Sequence, residues 1–158
     1  MFSRAVFPFE LAQIIGRLRA AYCDPPMSED TAVLYTDMLR DLEYESTDAA
    51  VDDLIATMSK LPTVARIRRT VIEPTLDLPS AEEAWIAVQS RQSDTHELVQ
   101  RAAFLMGGSF NIRTSSDPEL TRVRFAKVYE ELRRVAVTRA LVAGLRARRM
   151  KLPVREAS

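Results

Sequence analysis

The sequence predicts an all-α protein built as two small packed helical sub-bundles of about seven helices, and three observations predict it. Apolar residues recur at the i, i+3, i+4, i+7 spacing of helices. Runs of Ala, Leu, Arg and Glu dominate a chain of 158 residues that has only 4 Gly. Alternating β-branched segments are missing. With 47% apolar and 28% charged residues, the chain has the material for one compact domain or two small ones with a modest core.

Each helix has its own signal. Leu11, Ile14, Ile15, Leu18 and Tyr22 form the first stripe, which ends before Asp24-Pro25-Pro26. Ser28 is the expected N-cap of a second helix burying Tyr35, Met38, Leu39 and Leu42. A third is expected from Thr47 or Asp48, with Val51, Leu54, Ile55 and Met58 inward. Pro62-Thr63 opens a short fourth helix with Val64, Ile67 and Val71, which stops at Glu73 because Pro74 disfavours helical geometry in the residue before it. Residues 73–79 then read as an extended, proline-containing connector between a bundle over 8–72 and another over 80–143.

Ser80 and Glu83 stand at capping-box spacing before a fifth helix carrying Ala81, Ala84, Trp85 and Val88. Asp94 with Glu97 suggests the same device for the sixth, and Gly107-Gly108 a left-handed end to it. Asp117-Pro118 caps the last and longest helix, whose stripe is Phe125, Val128, Tyr129, Leu132 and Ala136. Trp85, Phe125 and Tyr129 are the expected anchors of the second core. Gly144 is the expected breaking point, leaving 144–158 as a mobile basic tail.

The net charge of zero conceals polarity. Residues 1–62 hold 5 Lys/Arg against 11 Asp/Glu, whereas 121–158 hold 11 against 3. An acidic front and a basic end suit different partners. Candidate partner surfaces are the acidic residues Asp37, Asp41, Asp52 and Asp53, and the tail cations Arg146, Arg148, Arg149, Lys151 and Arg155. The tail run suits phosphates or an acidic protein surface; its plainer explanation is a solvated helix end, where cations complement the dipole.

The residue inventory argues against catalysis. The only histidine is His96 and the only cysteine Cys23, too few for a His/Cys zinc site of standard spacing. No phosphate-binding G-x-x-x-x-G-K-[ST] sequence occurs. The neighbouring carboxylates Asp52-Asp53, Glu82-Glu83 and Glu130-Glu131 point about 100° apart on a helix and do not converge by themselves. We expect no enzyme activity, no cofactor and no metal. A single cysteine fits a reducing cytoplasmic setting, and the apolar N-terminal stretch is too short for a signal or membrane segment. Arg66, Arg68 and Arg69 follow a tight turn after the third helix. That arrangement suggests an alternative function, a helix-turn-helix-like DNA-binding regulator using the Thr63–Val71 helix.

One order of motifs is distinctive. Ser80-Ala-Glu-Glu-Ala-Trp85-Ile-Ala-Val88 precedes Leu98-Val-Gln-Arg101-Ala and Gly107-Gly108; Arg113-Thr-Ser-Ser-Asp117 and Arg124-Phe125-Ala-Lys-Val-Tyr129 follow. Upstream stand Ala21-Tyr22 before prolines, Tyr35-x-x-Met-Leu39, and Leu61-Pro62-Thr-Val-Ala-Arg-Ile-Arg68. To about residue 135 the chain resembles the replicative helicase loader and inhibitor proteins of bacteriophages and related replisome organisers. Members of that family place a Trp after the paired glycines; here Phe110 or Ile112 fills that role. The resemblance implies a small helical protein without ATPase activity. It would bind a DnaB-type replicative helicase, restrain it, and deliver it to an origin-bound initiator during phage or prophage DNA replication, with weak or indirect contact to nucleic acid and none to membrane.

Overall fold

The computed structural model describes residues 8–91 and 95–151, with no side-chain description for 148–151. The chain is all-α: α1 (Pro8–Ala21), α2 (Glu29–Leu39), α3 (Tyr44–Thr57), α4 (Val64–Ile72), a 3-10 turn (Glu73–Leu76), α5 (Ala81–Gln89), α6 (Glu97–Leu105), α7 (Ser109–Arg113) and α8 (Pro118–Lys151). No β-strand occurs among the described residues. The seven expected helices are present, and the added one is α7, a five-residue helix between the paired glycines and Asp117.

The chain divides into two compact units, 1–75 with 140–158 and 76–139. The first unit closes around Leu11, Ile14, Leu18, Leu39, Val51, Leu54 and Ile67, the apolar faces of α1 to α4. Two tyrosines tie its helix ends together. Tyr35 donates to the Pro62 carbonyl at 2.8 Å, and Tyr22 to the carbonyls of Leu54 and Met58, each at 3.2 Å. Ser28 caps α2 and Thr63 caps α4, each accepting the N–H three residues on, which meets one of the orphan donors of a helix start.

The second unit is built on Phe125 and Tyr129, both fully buried, with Ala84, Val88, Val99 and Ala102 around them. Tyr129 donates to the Pro79 carbonyl at 2.6 Å. Trp85 lies against Phe125 with ring centroids 5.6 Å apart and planes tilted by 55°, but it is half-buried and sits at the rim of this core rather than at its centre. The Ser80–Glu83 capping box is complete. Its hydrogen bonds from the Ser80 backbone N–H and hydroxyl hold the Glu83 carboxyl below its ordinary pKa. Gly107 and Gly108, at φ 86° and 97°, end α6 by donating to the carbonyls of Phe104 at 3.0 Å and Ala103 at 2.9 Å, the paired bonds of a Schellman end.

Four expectations are corrected and one alternative is decided. α3 begins at Tyr44, not at Thr47 or Asp48; Thr47 is buried and its hydroxyl donates back to the Glu43 carbonyl at 2.6 Å. The connector is not extended over 73–76, because Thr75 folds it by donating to the Ile72 carbonyl at 2.7 Å. Asp94 lies outside the described residues, and the cap of α6 is His96, whose Nδ1 accepts from the Leu98 N–H at 3.1 Å. Ile112 is buried while Phe110 is exposed, so Ile112 fills the core position after the glycines. Finally, α8 runs through Gly144 without a break to Lys151, and residues from 140 onward group with the first unit rather than with a bundle over 80–143.

Candidate functional site

The reason for that last correction is Arg68. Its side chain, only 3% exposed, projects from α4 and makes a fork with Asp41: Nη1 to Oδ1 at 2.6 Å and Nη2 to Oδ2 at 2.8 Å. Nη1 also donates to the Met38 carbonyl at 2.7 Å and Nη2 to the Leu141 carbonyl at 3.1 Å. The guanidinium thus joins the end of α2, the middle of α4 and the last third of α8. Gly144 passes close above it. A β-carbon there would stand 2.6 Å from Asp41 Oδ2 and 3.5 Å from Arg68 Nη2.

This geometry dissolves the expected DNA-reading trio. Arg66 and Arg69 are exposed on α4, but Arg68 faces inward with its fork occupied and cannot reach a base edge. The acidic set is dispersed as well. Asp41 is a half-buried partner of Arg68, 13% exposed, and not part of a free surface. Asp52 is bound by Arg17 at 2.6 Å, and the same Arg17 contacts Asp48. Asp37 faces Arg40 at 3.6 Å, and Asp53 is exposed on α3. Of the tail cations, Arg146 is exposed on α8; Arg148, Arg149 and Lys151 continue that helix, and Arg155 lies outside the described residues.

The carboxylate neighbours go to separate partners. Glu82 meets Arg122 while Glu83 turns back to Ser80; Glu130 and Glu131 face Arg133 and Arg134. Among the described residues no three His, Cys, Asp or Glu side chains converge in a way that would hold a metal, and no helix is long and apolar enough to cross a membrane.

What sequence reasoning missed is apolar surface. In the first unit, α1 and α2 border an open groove of about 600 Å³ lined by Leu11, Ile15, Ala32 and Val33, with the Arg19–Glu29 pair among its lining. In the second unit α5, α6 and α7 border a groove of about 470 Å³. Phe104 stands beside it 80% exposed, and Phe110 on α7 is 70% exposed. The signal was present at Phe104: it falls off the Val99/Ala102/Ala103 stripe of α6, so a large aromatic was left on the outer face. The chain matches no family model, no curated protein and no solved structure.

Proposed function

We propose that this protein is a non-enzymatic adaptor that binds a DnaB-type replicative helicase, restrains it, and delivers it to an origin-bound initiator in phage or prophage replication. The observation that carries the reading is the pair of open apolar grooves, one on each separately cored unit. Open, mostly apolar clefts are common places for binding sites, and an adaptor needs two of them. The motif order from Ser80 to Tyr129 supplies the identity of the partner.

An adaptor of this kind acts on a helicase by binding one of its nucleotide states better than another. The basic end of α8, beginning at Arg146, contributes association rate through long-range attraction. The experiment is interferometry of the full chain with the hexameric helicase, with and without ATP, alongside the helicase's ATP turnover. A complex favoured in one nucleotide state, with slowed turnover, is the expected result. No complex in either state overturns the function. Replacing Arg146, Arg148, Arg149, Lys151 and Arg155 with Gln lowers the association rate and its salt dependence; an unchanged rate overturns the role of the tail alone.

A further inference from the structure

The described lining of the second unit's groove carries two cations. Its apolar lining includes Val88, Val99, Ala103 and Phe104, and its only charged lining residues among those described are Arg91 and Arg113. Arg113 spends one donor on the Val88 carbonyl at 3.2 Å, which holds its guanidinium at the groove. Arg91 is exposed, at φ 56°, in the left-handed region where a non-glycine residue is uncommon. No carboxylate among the described lining residues offsets the two cations. The α1–α2 groove differs, since its lining Arg19 is paired with Glu29 and its lining Arg40 with Asp37.

From this we infer that the α5–α6–α7 groove binds a short acidic segment of a partner protein, seating a bulky apolar side chain against Phe104 and a carboxylate on Arg91 and Arg113. The volume lies within the roughly 300–1,000 Å³ of ordinary ligand clefts. An arginine fork matches a carboxylate in shape as well as charge. Strands of nucleic acid fit less well: bases stack on successive aromatic side chains, whereas Phe104 is the one aromatic in the described lining and the rest is aliphatic or small. The inference uses one of the two grooves on which the adaptor reading rests, but its test contains no helicase, so the two can fail separately.

Three fluorescent probes test it on the full chain by anisotropy: a peptide alternating Phe and Leu with Asp and Glu, the same peptide with Lys in place of every acid, and oligo-dT. The acidic peptide binds and the cationic one does not. Two variants leave the fold intact. Arg91→Gly removes the charge at a backbone conformation that glycine adopts freely, and Phe104→Ser changes an 80% exposed side chain. Each weakens the acidic peptide about tenfold, as loss of a central contact in a small interface does. Undetectable binding of the acidic peptide, equal binding of both peptides, or indifference to both variants overturns the inference. So does tighter binding of oligo-dT that is lost in the same variants.

Discussion

Gly144 and Asp41 approach each other so closely that a single added carbon would collide: 2.6 Å separates its position from Oδ2. The carboxylate cannot swing aside without leaving the Arg68 fork. Helix propensity alone favours Ala over Gly by about 1 kcal/mol, but overpacking costs about 1–3 kcal/mol. Gly144→Ala should therefore destabilise the protein in urea titration. A raised midpoint would show that α8 does not rest on this pair.

Asp41→Ala strands a guanidinium that is 3% exposed. Removing one partner of a buried ion pair costs about 3–5 kcal/mol. Replacing both residues by apolar ones of similar volume should cost far less, because Arg68 Nε already lacks a hydrogen-bond partner among the described residues. Denaturant midpoints of Asp41→Ala and of the double variant Asp41→Leu with Arg68→Met settle it. Equal losses in both would mean that packing, not charge, dominates the site.

Phe125→Ala should cost about 3–5 kcal/mol, since the ring is fully enclosed. Trp85→Ala should cost less, because that side chain is only partly buried at the rim of the core. Native tryptophan emission should fall between that of a fully buried and that of a free indole. A larger loss for Trp85 than for Phe125 would reverse their ranking in the core.

Ser80→Ala removes the cap of α5 and should cost about 1 kcal/mol at neutral pH. Glu83 shares the box, and its folded pKa lies below the ordinary value of 4.5. Its part of the stabilisation is thus fully present above the unfolded pKa and is lost as pH falls through the folded one. The gap between the parent and Ser80→Ala should narrow as pH falls below the ordinary carboxylate range, which thermal unfolding of the pair across acidic pH measures. A gap that widens in acid would rule out the carboxylate's share.

Local rules made much of this fold legible. Ser28, Thr63, Ser80 and Asp117 cap helices as their chemistry suggests, and the stripes through Ile14, Leu39, Leu54, Ile67 and Phe125 enter the cores. Several misreadings arise where burial or a tertiary contact outweighs a local preference. Thr47 resembles a cap, yet the helix starts a turn earlier and buries it. Gly144 resembles a break, yet a close approach to Asp41 accounts for the glycine. Arg68 resembles its exposed neighbours Arg66 and Arg69, and only the fold reveals that the i, i+2, i+3 spacing turns one of the three inward. The grooves were invisible because an open face is defined by what does not cover it.

The Arg68–Leu141 bond spans 73 residues of chain, and this sets an order on biosynthesis. Chains emerge from the ribosome N-terminus first, so α1 to α4 are synthesised well before the segment that supplies the carbonyl of Leu141 and the bare surface of Gly144. Until then the first unit waits with Arg68 and Asp41 facing water. A nonsense mutation or a protease cut before residue 140 therefore injures the opposite end of the protein from the one it removes, and a gene split at the unit boundary after Thr75 would yield a first half that lacks its own last piece.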